Sequence, residues 1–353
     1  NALKEKGDYE LALDCYEKSL SLHPDYIDAI INLGIIWDLM NDFTKAKKYF
    51  HKALLLSPNN TSVLYNLANC FFSAKDFEQS MEVCQKIIDI DTSFYYAYNR
   101  LGLCAVQLGN IDQAKEYLEK AIEIKPDYSE GLINYGIVLQ KLRNYSLATV
   151  QFEKVLCIDP NSDKAFVNLT KAYFEEGRLL KSIEVAKKGL SINPNYVPLL
   201  KNLTDSLLLL NRFDEAENSC RKILLIDEED TDAINAMGTI FEKKGNYEEA
   251  KNNFLRALKI NKNLLSPQIN IATIYQLRGQ TDKAIKIYSK LVEEHEENAL
   301  VLYHKSAITL ATGNFKEGWK DYEYRWEVFP MNRTKRPFED KPLWKGERGK
   351  RVV

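Results

Sequence analysis

Asparagine recurs through this sequence at a spacing that could support peptide binding. Between residues 32 and 270, six asparagines are separated from one another by multiples of 34 residues. A carboxamide offers both hydrogen-bond donors and an acceptor. A row of carboxamides can therefore pair with the backbone of an extended peptide without reading its sequence. The row consists of Asn32, Asn66, Asn134, Asn168, Asn202 and Asn270.

Residues that catalyse reactions or bind metals show no comparable order. The four histidines, His23, His51, His295 and His304, fall at unrelated positions, and the sequence contains no HExxH pattern and no glycine-rich phosphate loop. The six cysteines form no C-x-x-C pair, so we expect small buried residues in a reducing compartment. We therefore expect no enzyme activity within these residues, no metal and no cofactor.

Composition argues against two classes of partner. The 353 residues carry a net charge of −2, so no overall basic field favours nucleic acid. No apolar run reaches the length of about 18 residues that a membrane span needs. Basic residues concentrate at one end, where residues 333–353 contain eight Lys or Arg and three Asp or Glu. We expect a cytoplasmic protein that binds neither nucleic acid nor membranes, with this end as a solvated segment or linker.

The asparagine spacing belongs to a period that runs through the chain. Six prolines are also separated by multiples of 34, and a small residue lies 12 positions before each proline slot. With the proline slot numbered 32, nine complete windows fill residues 27–332, after a partial window at residues 1–26. Such a period is typical of repeat proteins, whose neighbouring units bury each other's apolar faces. The prolines are Pro24, Pro58, Pro126, Pro160, Pro194 and Pro330.

Each window contains two helical patterns of apolar residues. In the window that begins at residue 27, Ile30 and Leu33 lie on one stripe, and Phe43 and Phe50 lie on another. Positions 8 and 20 are always small, which predicts close approach of the two backbones. Position 26 is basic in every window but the last. A cation near a helix C-terminus stabilises the helix by about 0.3–1 kcal/mol, which is the simplest reason for this pattern.

A glycine followed by Asp or Asn often marks the turn between the two helices. Glycine accepts the left-handed conformation that ends a helix. The Asp or Asn is then expected to cap the free N–H groups of the next helix. These turns are Gly7-Asp8, Gly109-Asn110, Gly245-Asn246 and Gly313-Asn314.

This pattern resembles the tetratricopeptide repeat superfamily, and the resemblance covers residues 1–332. The match lies in the repeat length, the small positions 8 and 20, the aromatic positions and the proline at position 32. The resemblance implies an all-α protein in which antiparallel helix pairs stack into a right-handed superhelical solenoid. It also implies that the first helices line a concave groove and that position 6 projects into it.

Position 6 holds the asparagine row, which is interrupted by Arg100 and Ala236 and followed by His304. Tyr65 and Tyr96 should also face the groove and provide apolar anchoring. The row looks like the asparagine-lined repeats of O-linked N-acetylglucosamine transferases, which implies that it holds peptides. A second interpretation stays open, because asparagine is also frequent at this position in general tetratricopeptide consensus sequences, where it only tolerates solvent.

The last complete window departs from the others. Gly318 stands at the small position 20, Trp319 at the variable position 21, Tyr324 at the basic position 26, and Arg325 at the mostly apolar position 27. A charged side chain at position 27 would be costly to bury beneath another identical pair. We therefore interpret Trp319, Tyr324 and Arg325 as an interface with a neighbour that is not a repeat. The usual core positions of this window are kept by Phe315, Tyr322 and Trp326.

Residues 333–353 follow the repeats as a segment rich in proline, glycine and charge. Together with the last window, this segment resembles bacterial proteins in which tetratricopeptide repeats precede a glycosyltransferase-like domain. The shared features are the tryptophan-rich end of the repeats and the Pro-x-Trp-x-Gly turn of Pro342, Trp344 and Gly346. We read residues 333–353 as a linker into a further domain or as a C-terminal tail.

Three functional hypotheses follow. In the first, the chain is a scaffold that binds a protein or peptide in the concave groove, as the recognition arm of a larger protein. In the second, it is the substrate-holding region of a glycosyltransferase-like enzyme whose catalytic domain lies beyond residue 353. In the third, it is a structural solenoid that forms homo-oligomers by stacking end to end, since an uncapped solenoid can assemble heterologously.

Overall fold

The computed structural model describes residues 8–296 and 298–328, which contain helices and no strands. A first element, α1 (Tyr9–Leu22), is followed by helix pairs that match the windows. The first helices of the pairs are α2 (Ile27–Leu39), α4 (Thr61–Ser73), α6 (Tyr95–Gln107), α8 (Ser129–Lys141), α10 (Asp163–Glu175), α12 (Val197–Leu209), α14 (Thr231–Lys243), α16 (Leu265–Leu277) and α18 (Ala299–Ala311). The second helices are α3 (Phe43–Leu56), α5 (Phe77–Ile90), α7 (Ile111–Ile124), α9 (Tyr145–Ile158), α11 (Leu179–Ile192), α13 (Phe213–Ile226), α15 (Tyr247–Ile260), α17 (Thr281–Glu294) and α19 (Phe315–Tyr322), and a 3-10 turn follows at Glu323–Trp326.

The chain divides into two compact units, Asn1–Asn168 and Leu169–Val353. Within each unit, a helix packs against the helix before it and the helix after it. First helices of consecutive pairs also contact one another, as α2, α4, α6 and α8 do in the first unit and α12, α14, α16 and α18 do in the second. The all-α repeat solenoid that the period predicts is confirmed.

The core of each unit is shared between consecutive pairs. In the first unit, one cluster of buried side chains extends from Ile30 in α2 to Leu101 in α6. In the second unit, another cluster extends from Ile269 in α16 to Ile308 in α18. Each cluster draws on more than one pair, so the stability of a pair depends on its neighbours.

The turn between paired helices adopts the same backbone conformation in every window. Position 15 has a positive φ throughout, between 69° and 85° at five glycines and between 57° and 62° at the four other residues. The left-handed turns predicted at Gly109, Gly245 and Gly313 are therefore confirmed, whereas Gly7 lies outside the described residues. The residues that adopt this conformation without being glycine are Asn41, Lys75, Arg143 and Asn211.

Position 8 is small for a reason other than the predicted approach of two backbones. A Cβ added to Gly34 would lie 2.6 Å from Cε1 of Phe50 at position 24, and one added to Gly102 would lie 2.5 Å from Cγ of Leu118. Real Cβ atoms do not come so close to their neighbours. The glycine therefore makes room for a large side chain of the second helix.

Position 20 does show the predicted close approach. The hydroxyl of Ser80 donates to the carbonyl of Ala68 at 2.8 Å, and that of Ser182 donates to the carbonyl of Thr170 at 3.0 Å. Both carbonyls belong to position 8 of the same pair. A small side chain at position 20 can therefore lie directly against the backbone of the first helix.

The cation at position 26 connects neighbouring repeats. Lys52 donates from Nζ to the carbonyl of Pro24 at 3.1 Å, and Arg256 donates to the carbonyl of Glu228 at 2.5 Å. Each acceptor stands at position 32 of the preceding repeat. Lys52 also lies before the final turn of α3, where a helix dipole has little effect. At these two sites the contact with the preceding repeat explains the cation better than the helix dipole does.

The Gly-Asp and Gly-Asn turns were predicted to cap the second helices with the Asp or Asn side chain. Of these four turns, one forms the predicted cap. Asn314 accepts a bond from the backbone N–H of Glu317. The prediction is wrong at the other three, whose side chains make no cap bond although their backbone carbonyls still accept the first helical hydrogen bond. The helix can begin from that carbonyl alone. These three residues are Asp8, Asn110 and Asn246.

Candidate functional site

We define the first-helix face of each unit as the surface formed by positions 2, 5, 6, 9 and 12 of its first helices. All six asparagines of the row belong to this face, and each is half-buried. Half-burial leaves part of each asparagine accessible to a ligand while its helix holds it in place. The first unit carries Asn32, Asn66, Asn134 and Asn168, and the second unit carries Asn202 and Asn270.

Two asparagines of the row are fixed by their own helix. Asn32 donates from Nδ2 to the carbonyl of Asp28 at 2.7 Å, and Asn168 donates in the same way to Lys164 at 2.8 Å. Each bond spans one helical turn and restrains the amide group against its helix. A restrained amide loses less conformational entropy when it binds a ligand.

Two other asparagines bond to the preceding repeat. Asn134 donates from Nδ2 to Oδ1 of Asn99 at 2.9 Å, and Asn270 donates from Nδ2 to Oδ1 of Asn235 at 3.3 Å. Both acceptors stand at position 5, directly before a residue that interrupts the row. Position 5 is asparagine in these two windows alone. This pattern in the sequence is a signal for the amide pairs, which the spacing of the row alone does not predict.

The two predicted tyrosines belong to a larger aromatic cluster in the first unit. Tyr65 and Tyr96 lie 5.7 Å apart between ring centroids, and Tyr96 is 39% exposed. Phe94 lies 5.7 Å from Tyr65 and 5.8 Å from Tyr96. Tyr95 and Tyr128 extend the cluster, at 4.2 Å and 5.4 Å from Tyr96. The three added residues were missed, although the run of aromatics at residues 94–96 is visible in the sequence.

Arg100 is part of the same surface rather than a simple interruption of the row. Its guanidinium lies 4.5 Å from the ring centroid of Phe72 and 6.0 Å from that of Tyr65. Cation–π contacts of this kind hold the cation over the ring face. Arg100 forms no ion pair with a carboxylate among the described residues. The first unit therefore presents a positive charge beside aromatic rings.

Burial around Arg100 raises the pKa values of two neighbouring side chains. Desolvation raises the pKa of the Tyr65 hydroxyl, although the nearby Arg100 opposes the shift. Desolvation also raises the pKa of the Asp38 carboxyl, against the effects of the Cys70 thiol and Arg100. The phenol therefore stays neutral at physiological pH and can donate a hydrogen bond to a ligand.

Family models match this chain over more than half of its length. The matching description is the tetratricopeptide repeat, at residues 1–26, 95–128 and 231–264 for one model, 39–101 for a second and 268–298 for a third. The chain belongs to the tetratricopeptide repeat family. Among curated proteins, none matches the sequence significantly.

Solved tetratricopeptide structures share the fold. A tetratricopeptide repeat protein from Parabacteroides merdae is 17% identical, with a TM-score of 0.54 over 70% of this chain and 98% of that one. PilW, a type IV pilus biogenesis factor, is 21% identical, with a TM-score of 0.53 over 59% and 96%. PilF from Pseudomonas aeruginosa is 17% identical, with a TM-score of 0.51 over 59% and 95%. Identities this low show a common fold and nothing about shared ligands.

The last tetratricopeptide repeat is shorter than the sequence predicted. Earlier second helices have 14 residues, but α19 has 8, and Tyr324, Arg325 and Trp326 lie in the 3-10 turn. Gly318 has a steric reason, because its Cβ would meet Leu310 Cδ2 at 2.7 Å. The predicted core role of Phe315 is wrong. Its side chain is 61% exposed, and within the described residues no later helix covers it.

Two of the three predicted interface residues of this repeat, Trp319 and Arg325, pack among aromatic rings. Trp319 meets Tyr322 edge-on at 5.5 Å. Arg325 lies 4.4 Å from the ring centroid of Tyr322 and 4.7 Å from that of Trp326, and it donates to Glu323 at 2.9 Å. These contacts offset part of the cost of half-burying Arg325. An interface of Trp319, Tyr324 and Arg325 with a non-repeat neighbour stays a prediction.

The last repeat contains a charged cluster that the sequence analysis missed. Lys305 stands at position 7, where the other windows have Leu, Tyr, Met or Ile. Its Nζ lies 2.8 Å from Glu317 and 3.0 Å from Asp321, and Asp321 is only 6% exposed. An ion cluster therefore replaces apolar contacts between α18 and α19. The signal in the sequence was the single charge at an otherwise apolar position.

Other candidate sites find little support in the described part of the chain. No group of three or more His, Cys, Asp or Glu residues there is placed to hold a metal ion. The helices of that part are all too short or too polar to cross a membrane. Burial, and then the charge of Lys243, lower the pKa of His304, so this half-buried imidazole is favoured in its neutral form.

Proposed function

We propose that this tetratricopeptide repeat array is a protein-interaction scaffold that binds an extended peptide segment on its first-helix faces. In the first unit, Asn32, Asn66, Asn134 and Asn168 contact the peptide backbone. The partly exposed rings of Tyr65 and Tyr96 hold apolar side chains of the same segment. Asn202 and Asn270 serve the same purpose in the second unit.

The restrained carboxamides are the observation that carries this proposal. Amides fixed by hydrogen bonds to their own helix or to the preceding repeat present donors and acceptors at regular intervals. Because these asparagines recur at a regular spacing, they suit a ligand whose polar groups also recur regularly, such as a peptide backbone. The partly exposed tyrosines add apolar area without requiring a particular sequence.

The proposal can be tested with a library of unstructured octapeptides. Peptides that the full chain retains are identified, and calorimetry then measures the affinity of the best one for variants of the chain. The double variant Asn32→Ala/Asn66→Ala should bind about 30-fold more weakly, because each lost amide removes a hydrogen bond worth about 1 kcal/mol. The bond that Asn32 donates within its own helix is solvent-exposed, so the melting temperature should change little.

A matched control separates this surface from a general effect of asparagine. Asn59 and Asn161 are exposed residues of the first unit that lie in loops. The variant Asn59→Ala/Asn161→Ala should bind the selected peptide as the wild type does. Equal affinity of wild type and Asn32→Ala/Asn66→Ala, or a library from which the chain retains nothing, would contradict the proposal.

The domain organisation and the second functional hypothesis stay proposals. We propose that residues 1–332 form the repeat array and that residues 333–353 connect it to a further segment. The glycosyltransferase-like resemblance rests mainly on residues 333–353, which lie outside the described residues. The genomic sequence after Val353 tests that hypothesis, since an immediate stop codon would remove it.

A further inference from the structure

A pocket of about 270 Å³ opens in the first-helix face of the second unit. It lies between α12 and α14, and residues of α13 contribute to its wall. Ala236 contributes to this wall at position 6, where most repeats carry an asparagine. The small side chain leaves space that a carboxamide would fill. The interruption of the row therefore coincides with a cavity.

The hydroxyl groups of the pocket are oriented as acceptors. Thr204 donates its hydroxyl hydrogen to the carbonyl of Leu200 at 2.9 Å, and Thr239 donates to the carbonyl of Asn235 at 3.2 Å. Each hydroxyl thereby uses its single donor within its own helix. Thr204 is only 2% exposed, so the oxygen lone pairs that remain for a ligand are those of the half-buried Thr239. Independently of any charge, the pocket therefore favours a ligand that donates hydrogen bonds.

The charges of the pocket favour a cation. Lys201 lies 2.8 Å from both Asp230 and Asp232, so its ammonium group is already paired twice. Asp205 also lines the pocket and forms no ion pair within the described part of the chain. Lys201, Asp205 and Asp232 line the pocket and sum to −1, and Asp230 beside Lys201 adds a further negative charge. Asp205 is thus an accessible carboxylate without a counter-ion.

The walls of the pocket also suit an aliphatic stem. Leu208, Ile223, Ala233 and Ala236 line it beside the polar groups. Long basic side chains bury their methylene groups along such surfaces and keep the charged end near polar partners. An arginine satisfies these requirements best, because its planar guanidinium carries five N–H donors and no acceptor.

We infer that this pocket binds an arginine side chain of the peptide held on the first-helix face. The guanidinium pairs with Asp205 and donates to Thr239, while the stem lies against Leu208 and Ala236. The inference rests on the proposed peptide-binding function and adds to it a preference for a basic residue at one point of the ligand.

Two matched probes test the pocket by itself. Acetyl-Gly-Arg-Gly-amide carries the guanidinium, and acetyl-Gly-citrulline-Gly-amide replaces it with a neutral urea of nearly the same shape. Amide resonances of the full-length isotope-labelled chain are followed by NMR. The arginine peptide should shift the resonances of Asn235, Ala236 and Thr239, and the citrulline peptide should not. Equal shifts with both peptides, or no shifts with either, would overturn the inference.

Variants of equal charge change identify the carboxylate. Asp205→Asn should weaken binding of the arginine peptide about ten-fold, as expected for a lost charge-assisted hydrogen bond. Asp282→Asn removes an exposed carboxylate elsewhere in the second unit and should have no effect. Unchanged affinity in Asp205→Asn would exclude the proposed role. Circular dichroism of both variants shows whether the fold is retained.

The pH dependence gives a second readout. Desolvation by the surrounding protein, and then the charge of Asp232, raise the pKa of Asp205 to about 6, while Lys201 opposes the shift. The Cys220 thiol of α13, whose pKa is raised to about 12, stays neutral. Affinity for the arginine peptide should fall about ten-fold from about pH 7.5 to about pH 5 as Asp205 becomes protonated. An affinity that does not change with pH would contradict the assignment of Asp205.

The two proposals can fail separately. If the arginine peptide does not bind but Asn32→Ala/Asn66→Ala still weakens octapeptide binding, only the pocket assignment is wrong. If the arginine peptide binds through Asp205 while Asn32→Ala/Asn66→Ala has no effect, the asparagine row is wrong and the pocket is an isolated site.

Discussion

The asparagines of the row differ in whether their replacement would leave a buried group without its hydrogen-bond partner. Asn134 donates to Asn99, which is fully buried, whereas Asn168 donates to a backbone carbonyl of its own helix. The carboxamide of Asn99 can form few other bonds in that environment. A buried acceptor that loses its partner costs free energy because water cannot replace the bond. Two members of one row therefore have unequal structural importance.

Asn134→Ala should lower the free energy of unfolding by about 1–3 kcal/mol, because Oδ1 of Asn99 would be left without its donor. Asn168→Ala, which removes the same side chain from the same position of the next repeat, should cost less than about 0.5 kcal/mol. Urea unfolding followed by circular dichroism measures both. Equal effects of the two substitutions would show that the Asn99–Asn134 bond contributes nothing particular to stability.

At the scale of the helix pair, the turn at position 15 imposes one conformation on residues of different types. Lys75 adopts a φ of 61° in the turn where five other pairs have glycine. The left-handed conformation costs a residue with a Cβ about 1–2 kcal/mol, and glycine avoids this cost. The packing of α4 against α5 evidently compensates for it. The free energy of unfolding is therefore lower with Lys75 in this turn than it would be with glycine there.

Lys75→Gly should raise the free energy of unfolding by about 0.5–1 kcal/mol, after allowance for the greater freedom of glycine in the unfolded chain. Thermal and urea unfolding both measure this change. Lys75→Ala is the matched control, since it removes the same side chain but keeps the Cβ, and it should give no gain. A similar gain in both variants would mean that the lysine side chain, and not the backbone conformation, limits stability.

The 34-residue period predicts where the helices of each pair begin better than it predicts contacts between individual side chains. First helices begin at position 1 and second helices at position 17 because proline, glycine and apolar spacing repeat without insertion. Contacts between repeats are harder to predict, because they depend on side chains from different windows. Arg100 looks like an interruption in its own window, and its cation–π partner Phe72 belongs to the previous one. The pocket beside Ala236 arises in the same way.

At the scale of the whole molecule, the last repeat bears on self-assembly. Another helix pair would have to pack against α18 and α19, where Lys305 and Asp321 form an ion pair at usually apolar or variable positions. A second copy of the chain that covered this ion pair would remove its remaining hydration. The cost of that desolvation can exceed the attraction between the charges. The exposed ring of Phe315 favours contact, but it is a single residue. We therefore expect end-to-end stacking to be unfavourable.

Sedimentation velocity tests this expectation. The sedimentation coefficient of the wild type should stay constant as concentration rises. Lys305→Leu/Asp321→Val restores apolar residues typical of these two positions, and it should cause association that increases with concentration, because the end of the array then resembles an internal repeat. Lys283→Leu/Asp282→Val adds the same apolar groups to exposed positions of α17 and should remain like the wild type. Open-ended growth of the wild type would instead support the structural solenoid, and it would show that the ion cluster does not protect the end of the array.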